Sequence, residues 1–355
     1  WLVLFAWKPF ISIPLTFDYN ILKENISNIS TNKINQNIPE LNWTAIWDAL
    51  LMSNNLFKPS KEESKDDYKK REKVVLLLTD WDANVWVNPE LAAKMQEIER
   101  FTQNAIANGR LVNGKIEIPV VVNVLYKTTA ENISLTQIQS QIDVLNKDFN
   151  ALNSDFNQVP SVFSGVKANV GISFVLDAVY RKSTTKKSWG TNDAMKKSTQ
   201  GGMNPTSPTT KLNLWVCTIG GGILGYAQFP GGSSATDGVV IDSRYFGTTG
   251  TATAPFNKGR TATHEVGHWM NLRHIWGDAT CGNDLVSDTP THNAANYGMP
   301  AFPHYSTCTG TPIEMTMNYM DYTDDAGMYM FSNGQKSRML AIFASGGSRF
   351  SFAQP

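Results

Sequence analysis

Three histidines and one glutamate in a short stretch could bind a metal ion and carry out acid–base chemistry. The stretch THEVGHWMNLRH contains His264, Glu265, His268 and His274. On a helix, His264 and His268 lie one turn apart on the same face, so their imidazoles can share one ion. Glu265 follows the first histidine and can act as a general base towards water held at that ion.

The third histidine requires a change of chain direction. His274 follows His268 by six residues, with Asn271 between them. A sharp turn with positive φ at Asn271 would return His274 to the same ion, and asparagine is the best residue after glycine for such a φ. The alternative is a chance match on an ordinary helix. It is disfavoured because the chain has only 5 histidines.

The wider stretch HEVGHWMNLRHIWGD resembles the metzincin metalloproteases, whose motif is His-Glu-x-x-His-x-x-Gly-x-x-His. Here Asn271 stands at the glycine position. This stretch is similar in sequence to the pappalysin family, in particular its cytophagalysin-like branch. The resemblance covers residues 115–350. It implies an α/β (α+β) metzincin-like catalytic domain. Such a domain has a twisted, mostly parallel mixed sheet, an active-site helix and an irregular C-terminal subdomain.

The resemblance implies a zinc-dependent endopeptidase that hydrolyses peptide bonds. His264, His268 and His274 would bind Zn²⁺ and leave a fourth position for water. Glu265 would activate the zinc-bound water and pass its proton to the leaving amine. A different zinc hydrolase with a distant glutamate as third ligand is the alternative, and His274 argues against it.

The resemblance also assigns roles outside the histidine stretch. Met320, in NYMDY, would form a Met-turn beneath the zinc, and Tyr322 would hydrogen-bond the tetrahedral intermediate, with a structural tyrosine as the alternative. An edge strand over Leu224–Phe229 would bind substrate through main-chain hydrogen bonds. Its central residues are Gly225, Tyr226 and Ala227. The acidic residues near the Met-turn could favour a basic substrate side chain or form a solvated or calcium-binding run; they are Asp321, Asp324 and Asp325.

Cysteines flank the loop that follows the histidines. The resemblance implies that Cys281 and Cys308 form a disulfide, which fits an exported protein. Cys217 lies in the apolar strand LNLWVC and is predicted to be a buried free thiol. His292 and His304 are predicted to be polar loop residues rather than ligands.

The loop between the paired cysteines carries clustered oxygen side chains. Asp284, Asp288 and Thr289 suit Ca²⁺ chemically, and related enzymes carry calcium near this position. A solvated acidic loop is an equal alternative. The predicted cofactors are therefore Zn²⁺ and, as a second hypothesis, Ca²⁺.

The first part of the chain differs in composition from the rest. All 26 glycines fall at or after Gly109, whereas six of the 10 tryptophans lie in the first 86 residues. Residues 1–92 resemble an incomplete von Willebrand factor A domain, in which Thr44 and Asp80 match two ion-binding positions and the Asp-x-Ser-x-Ser loop is missing. The predicted organisation is this segment over 1–92, a connector over 93–114 and the zinc protease domain over 115–355.

Composition limits the possible partners and location. The 31 basic and 31 acidic residues argue against a nucleic-acid binder, and no apolar run is long enough to span a membrane. The opening residues lack the features of a signal peptide. We expect a monomer that acts on protein or peptide substrates and is secreted, extracellular or periplasmic in a bacterium. The alternative is a catalytically inactive or chimeric protein that acts as a metal-binding or adhesion module.

Periodicity predicts the elements around the histidines. Apolar runs indicate strands, and residues spaced three and four apart indicate helices. The predicted strands are Ile116–Leu125, Val170–Ala178, Leu212–Cys217 and Gly238–Asp242, and the predicted helices are Ala92–Ala107 and Ile133–Leu152.

Overall fold

The computed structural model of the chain describes residues 2–4, 11–13, 89–109 and 115–353. Its contacts divide the chain into Trp1–Pro89 and Glu90–Pro355. In the first part, strands β1 (Leu2–Leu4) and β2 (Ile11–Ile13) pair antiparallel. The remaining features of the von Willebrand factor A resemblance, Thr44 and Asp80 among them, lie outside the described residues.

A five-stranded mixed sheet forms the framework of the second part. Its strands are β3 (Ile116–Tyr126), β4 (Ile172–Ser183), β5 (Leu212–Cys217), β6 (Gly225–Ala227) and β7 (Val239–Asp242), in the order β4-β3-β5-β7-β6. All neighbours are parallel except β6, which runs antiparallel to β7 at one edge. The mostly parallel sheet and the edge strand are thus confirmed.

Burial explains which strand bounds could be predicted. Strand β5 is buried along its whole length and has the predicted bounds, as expected for a continuous apolar run inside a parallel sheet. Strand β4 was predicted to end at Ala178 but runs to Ser183, where it still pairs with Tyr126. The prediction was wrong because β4 is an edge strand, and its far half is polar and partly exposed.

Four α-helices occur in the described part of the chain: α1 (Pro89–Ala107), α2 (Leu135–Phe149), α3 (Arg260–Trp269) and α4 (Asn333–Ala341). Helix α2 begins at Leu135 instead of the predicted Ile133 because Ser134 caps its start by accepting a hydrogen bond from Gln137 N, and it ends at Phe149 instead of Leu152, before Ala151 with φ +54°. It turns Ile138, Ile142 and Leu145 into the core shared with the sheet. Helix α4 begins with a reciprocal capping box.

The chain after α3 forms the predicted irregular subdomain. Its regular elements are α4 and a short parallel pair, β8 (Tyr297–Gly298) and β9 (Tyr322–Thr323). Cys281 and Cys308 form a disulfide across it, and Cys217 is a buried free thiol, both as predicted. Among the described residues, no helix is long and apolar enough to cross a membrane.

Candidate metal centre and active site

Helix α3 presents the histidines from inside the core. Every residue of α3 is buried. Its first residue, Arg260, forms a bidentate ion pair with Asp155, in which both N–O distances are 2.9 Å. The Arg260 guanidinium also lies 3.3 Å from the carboxylate of Asp148, on helix α2. Thr263 donates to the same Asp148 at 2.8 Å. These contacts fix the start of α3 relative to α2.

The three predicted histidines converge on one point. His268 Nε2 lies 3.0 Å from His264 Nε2 and 3.1 Å from His274 Nε2. A tetrahedral zinc ion with bonds of about 2.0–2.1 Å separates two ligand nitrogens by about 3.3 Å. The spacing therefore fits a single small cation. Among the described residues, these three histidines form a group of side chains arranged to hold a metal.

The hydrogen bonds on the opposite side of each ring fix its tautomer. His264 Nδ1 donates to Tyr319 O at 2.6 Å, and His268 Nδ1 donates to Leu272 O at 2.7 Å. His274 Nδ1 donates to the carboxylate of Asp278. With the proton on Nδ1, each neutral Nε2 presents a lone pair. Three lone pairs facing each other repel, and a bound cation turns that repulsion into ligation.

Burial reinforces the neutral state of the His264 and His268 rings. It lowers the pKa of His264 to about 3, with a further lowering from His274, and it lowers the pKa of His268 well below the usual range. Neutral imidazole is the form that binds a metal. The electrostatics and the tautomers therefore favour the same chemistry.

The sharp turn predicted at Asn271 is confirmed. Its φ is +73°, in the left-handed region, and the chain then returns His274 to the other two rings. The carbonyl of Asn271 accepts a hydrogen bond from Arg338 Nε at 2.8 Å. Arg338 is itself paired with Glu99 of helix α1, through both guanidinium nitrogens. The turn is therefore held by residues from both ends of the catalytic unit.

Glu265 lies directly beneath the edge strand. A Cβ atom on Gly225 would lie 2.9 Å from the backbone oxygen of Val240 and 3.1 Å from Glu265 Cγ, so a larger residue would force the strand or Glu265 to move. Burial raises the pKa of Glu265 to about 8, and a nearby cation would lower it again. A carboxyl group balanced in this way can accept and return a proton near neutral pH.

The predicted substrate strand does not present all three side chains alike. Gly225 and Ala227 belong to the short strand β6, whose partner on one side is β7. The Tyr226 hydroxyl donates to Asp193 at 2.9 Å and its ring packs in a separate core cluster. In β6, the backbone is thus the group suited to contact a peptide.

Met320 lies under helix α3. It is fully buried, and its sulfur would lie 2.5 Å from a Cβ placed on Gly267, between Glu265 and His268. The Met320 carbonyl accepts a hydrogen bond from Ile275 N at 3.1 Å, next to His274. The predicted Met-turn thus contacts both the helix and the returning chain.

Aromatic rings border the histidine cluster. The Tyr322 ring lies 4.8 Å from the His274 ring and 5.5 Å from the His264 ring. Trp276 stacks on His274 at 4.3 Å, and Phe229 lies 5.1 Å from His268. Tyr322 is therefore placed where its ring can reach a group bound beside the cluster.

The acidic residues near the Met-turn have structural partners. Asp321 is fully buried and accepts from the backbone and side chain of Asn296 at 2.8 and 2.9 Å. Asp325 is buried and accepts from the backbone of Lys258 and Arg260, just before and at the start of α3. Asp324 is half-buried. The expectation of a solvated run is wrong for Asp321 and Asp325.

The residues of the calcium hypothesis engage different partners. Asp284 is buried and accepts from the Thr289 hydroxyl at 2.8 Å, so it does not belong to a solvated loop. Asp288 accepts instead from Ser332 Oγ at 2.6 Å and from Gly334 N at 2.8 Å, at the start of helix α4. The two carboxylates therefore already serve as hydrogen-bond acceptors for the protein itself.

His292 and His304 lie in loops, as expected, but His292 is not a solvated polar residue. It is fully buried, and its Nε2 accepts from Met315 N at 2.9 Å. His304 is paired with Glu314 at 3.0 Å. The prediction missed the burial of His292 because its surroundings come from a distant part of the chain.

Several residues that shape the site were not found from the sequence. Asp278 lies four residues after His274, and this spacing is a signal that could have identified it. The carbonyl of Tyr319 and the Arg338–Glu99 pair carry no local signal, because a backbone acceptor has no sequence signature and Glu99 lies 239 residues from Arg338.

Comparisons with known proteins agree with this geometry. The peptidase M43 family model, described as pregnancy-associated plasma protein-A, matches residues 216–344. An extracellular metalloprotease of Pyricularia oryzae is 34% identical over 256 residues, which are 68% of this chain and 80% of that protein. Extracellular metalloprotease 1 of Coccidioides posadasii is 32% identical over 242 residues, which are 64% and 77% of the two chains.

Solved structures of one relative share the fold. Mature mirolysin of Tannerella forsythia in complex with a cleaved peptide is 44% identical, with a TM-score of 0.66, over 68% of this chain and 97% of that one. A promirolysin variant is 42% identical, with a TM-score of 0.69, over 72% and 91%. With a metallopeptidase relative aligned over most of its length, and with the three histidines brought together, the chain belongs to the pappalysin family of metzincin metalloproteases.

Proposed function

We propose that the protein is a zinc endopeptidase that cleaves extended polypeptide segments, with His264, His268 and His274 as the metal ligands and Glu265 as the proton carrier. One observation supports this most strongly. Three Nε2 atoms with their protons on the opposite ring nitrogens face one point, 3.0 and 3.1 Å apart, beside a buried carboxyl group.

Each group at the site has a separate role in the proposed hydrolysis. Zinc, when bound, supplies a Lewis acid that polarises a carbonyl and makes water more acidic. The Glu265 carboxylate takes a proton from the attacking water and later delivers it to the nitrogen of the leaving amine. Tyr322 donates a hydrogen bond to the oxygen that gains negative charge. The backbone of β6 aligns the substrate antiparallel, beside Glu265.

Further proposals concern the context of this domain. We propose that it belongs to the cytophagalysin-like branch, acts as a monomer on protein or peptide substrates, and is exported by a bacterial cell. The resemblance of residues 1–92 to a von Willebrand factor A domain, the connector over 93–114 and the catalytic domain over 115–355 stay proposals. Helix α1 spans most of that connector and contacts the catalytic domain through Glu99 and the buried Thr102.

Calcium binding by Asp284, Asp288 and Thr289 also stays a proposal. Burial raises the pKa of Asp284 to about 6, and it outweighs the hydrogen bonds from Thr289 and Val286 N and the charge of Arg338, which lower the pKa. If calcium binds there, adding it should raise the melting temperature of the wild-type protein but not of Asp284→Asn. An equal shift in both would place calcium elsewhere.

The central proposal is tested by cleavage of a denatured protein. The wild type and Glu265→Gln are compared, each with and without a metal chelator, and the zinc content of both is measured. We expect cleavage by the wild type, loss of it on chelation, and a rate about 10²–10⁴-fold lower for the zinc-loaded variant. A folded, zinc-loaded wild type that cuts no substrate would support the alternative of an inactive metal-binding or adhesion module.

A further inference from the structure

Large apolar side chains are exposed together in one loop beside the active site. In the segment 297–305, Tyr297 is 72% exposed, Met299 61%, Phe302 45% and Tyr305 57%. These four are among only ten exposed large apolar residues in the described part of the chain. We call the segment the apolar loop. Such local clustering on a protein surface is typical of a binding site.

The apolar loop is held in place at both ends. Before it, the Asn296 side chain is buried and donates to Glu314 and Asp321 at 2.8 and 2.9 Å. After it, Ser306 N donates to Pro312 O at 2.8 Å, and Cys308 is fixed by the disulfide. The exposed side chains are therefore carried by anchored backbone, which lowers the entropy lost when a partner binds.

The first half of the apolar loop continues the wall of the active site. Tyr297 pairs with Tyr322 in the β8–β9 ladder, and their ring centres are 5.9 Å apart. Asp324 N donates to Gly298 O at 2.9 Å, which extends the contact. The Met299 sulfur would lie 3.0 Å from a Cβ on Gly327, so it packs on the chain that follows the Met-turn.

These distances set the reach of a bound peptide. The Tyr322 ring is 4.8 Å from the His274 ring and 5.9 Å from the Tyr297 ring. Tyr297 thus lies within about 11 Å of the histidine cluster, and an extended chain covers that distance in about three residues. A polypeptide held at the cluster can therefore place a side chain on Tyr297, and Met299 follows two residues later in the same loop.

We infer that Tyr297 and Met299 form a substrate-binding surface for large apolar side chains located two to five residues from the cleaved bond. This inference rests on the proposed endopeptidase function. Tyrosine offers a rigid ring and methionine a flexible, unbranched side chain, and this combination accepts different apolar partners. The preferred substrates are then unfolded polypeptides, since folded proteins keep such residues inside.

The test uses peptides that share one cleavable core and differ only in their flanks. The core is mapped from wild-type digestion of a denatured protein, and either flank is extended with leucine and phenylalanine or with serine and asparagine. The variants are Tyr297→Ser/Met299→Ser and the conservative pair Tyr297→Phe/Met299→Leu. Leu152→Ser, at a residue 72% exposed outside the apolar loop, is the matched control. Zinc content, melting temperature and sedimentation are measured for each.

We expect the serine double variant to lose about tenfold in kcat/KM on one of the two peptides with an apolar flank, mainly through KM. It should change by less than about twofold on the polar-flank peptides, and the conservative pair and Leu152→Ser should behave like the wild type. Equal losses on all peptides, or no loss on any, would overturn the inference. If the serine double variant changes only the oligomeric state, the surface binds a second copy of the chain instead of substrate, and the inference is overturned. A wild type that cleaves no peptide would instead refute the endopeptidase function itself.

Discussion

The ion pair between Glu99 of helix α1 and Arg338 of helix α4, which supports the turn at Asn271, provides the sharpest test of how the metal centre is held. Arg338 has only 2% of its side chain exposed, and Glu99 has 25%. Breaking a buried pair costs about 3–5 kcal/mol because the remaining charge is left without a partner. Since Glu99 is partly exposed and Arg338 keeps its bond to the Asn271 carbonyl, we expect Glu99→Gln to cost about 2 kcal/mol.

The stability difference between the wild type and Glu99→Gln should depend on pH in a defined direction. Burial raises the pKa of Glu99, but the hydrogen bond and charge of Arg338 outweigh it, so the pKa is held below the usual range. A carboxyl group with a lowered folded-state pKa adds stability above its unfolded pKa and loses it as the pH falls through the folded value. The difference between the wild type and Glu99→Gln should therefore be largest near pH 7 and shrink below about pH 4.

The assay measures urea unfolding at both pH values and the rate at which a chelator removes zinc at pH 7. Because Arg338 holds the turn that returns His274, we expect zinc to leave the variant faster than the wild type. Glu117→Gln is the matched control, since Glu117 pairs with Lys115 at 3.1 Å on the surface and should contribute less than about 1 kcal/mol. If Glu99→Gln matches the wild type in both stability and zinc release, Arg338 supports the turn without its partner Glu99 and the reasoning is wrong.

Three further predictions concern helix α3 and its support. Gly267→Ala should cost about 1–3 kcal/mol in urea unfolding, because the new methyl group would meet the Met320 sulfur at 2.5 Å; an unchanged midpoint would show that Met320 can move aside. Asn271→Gly should retain zinc, whereas Asn271→Val, forced to φ +73°, should lose at least about 1–2 kcal/mol in the same assay. Burial raises the pKa of Asp148 to about 6 against the opposing charge of Arg260, so the folded wild type should lose stability relative to Asp148→Asn as the pH rises from 4 to 7, by about 3 kcal/mol; a constant difference would contradict this.

Local signals predicted the convergence of the three histidines, because their spacing and the turn between them are encoded in neighbouring residues. His264 and His268 needed only helical spacing, and Asn271 needed only its tolerance for positive φ. Strand β5 was predicted with its bounds since it is buried on both faces. Strand β4 was cut short because an edge strand with a polar half carries no apolar run.

Long-range contacts set the limit of such prediction. His292 was expected to be a polar loop residue, yet it is fully buried, and its Nδ1 lies 3.5 Å from Asp321 and 3.9 Å from Glu314. Nothing in the sequence around His292 indicates those partners. The same holds for Arg338 and Glu99, whose pairing depends on how the first helix and the last helix of the domain meet.

Two buried arginines hold opposite ends of the histidine helix. Arg260 fixes its start through Asp155, and Arg338 fixes the turn after its end through the Asn271 carbonyl. Buried ion pairs contribute little net stability compared with apolar packing, but they tolerate few alternative arrangements. Their presence at both ends is therefore better explained by the accuracy that three converging imidazoles require than by overall stability. On this argument, replacing either arginine should impair metal retention more than its effect on unfolding alone would suggest.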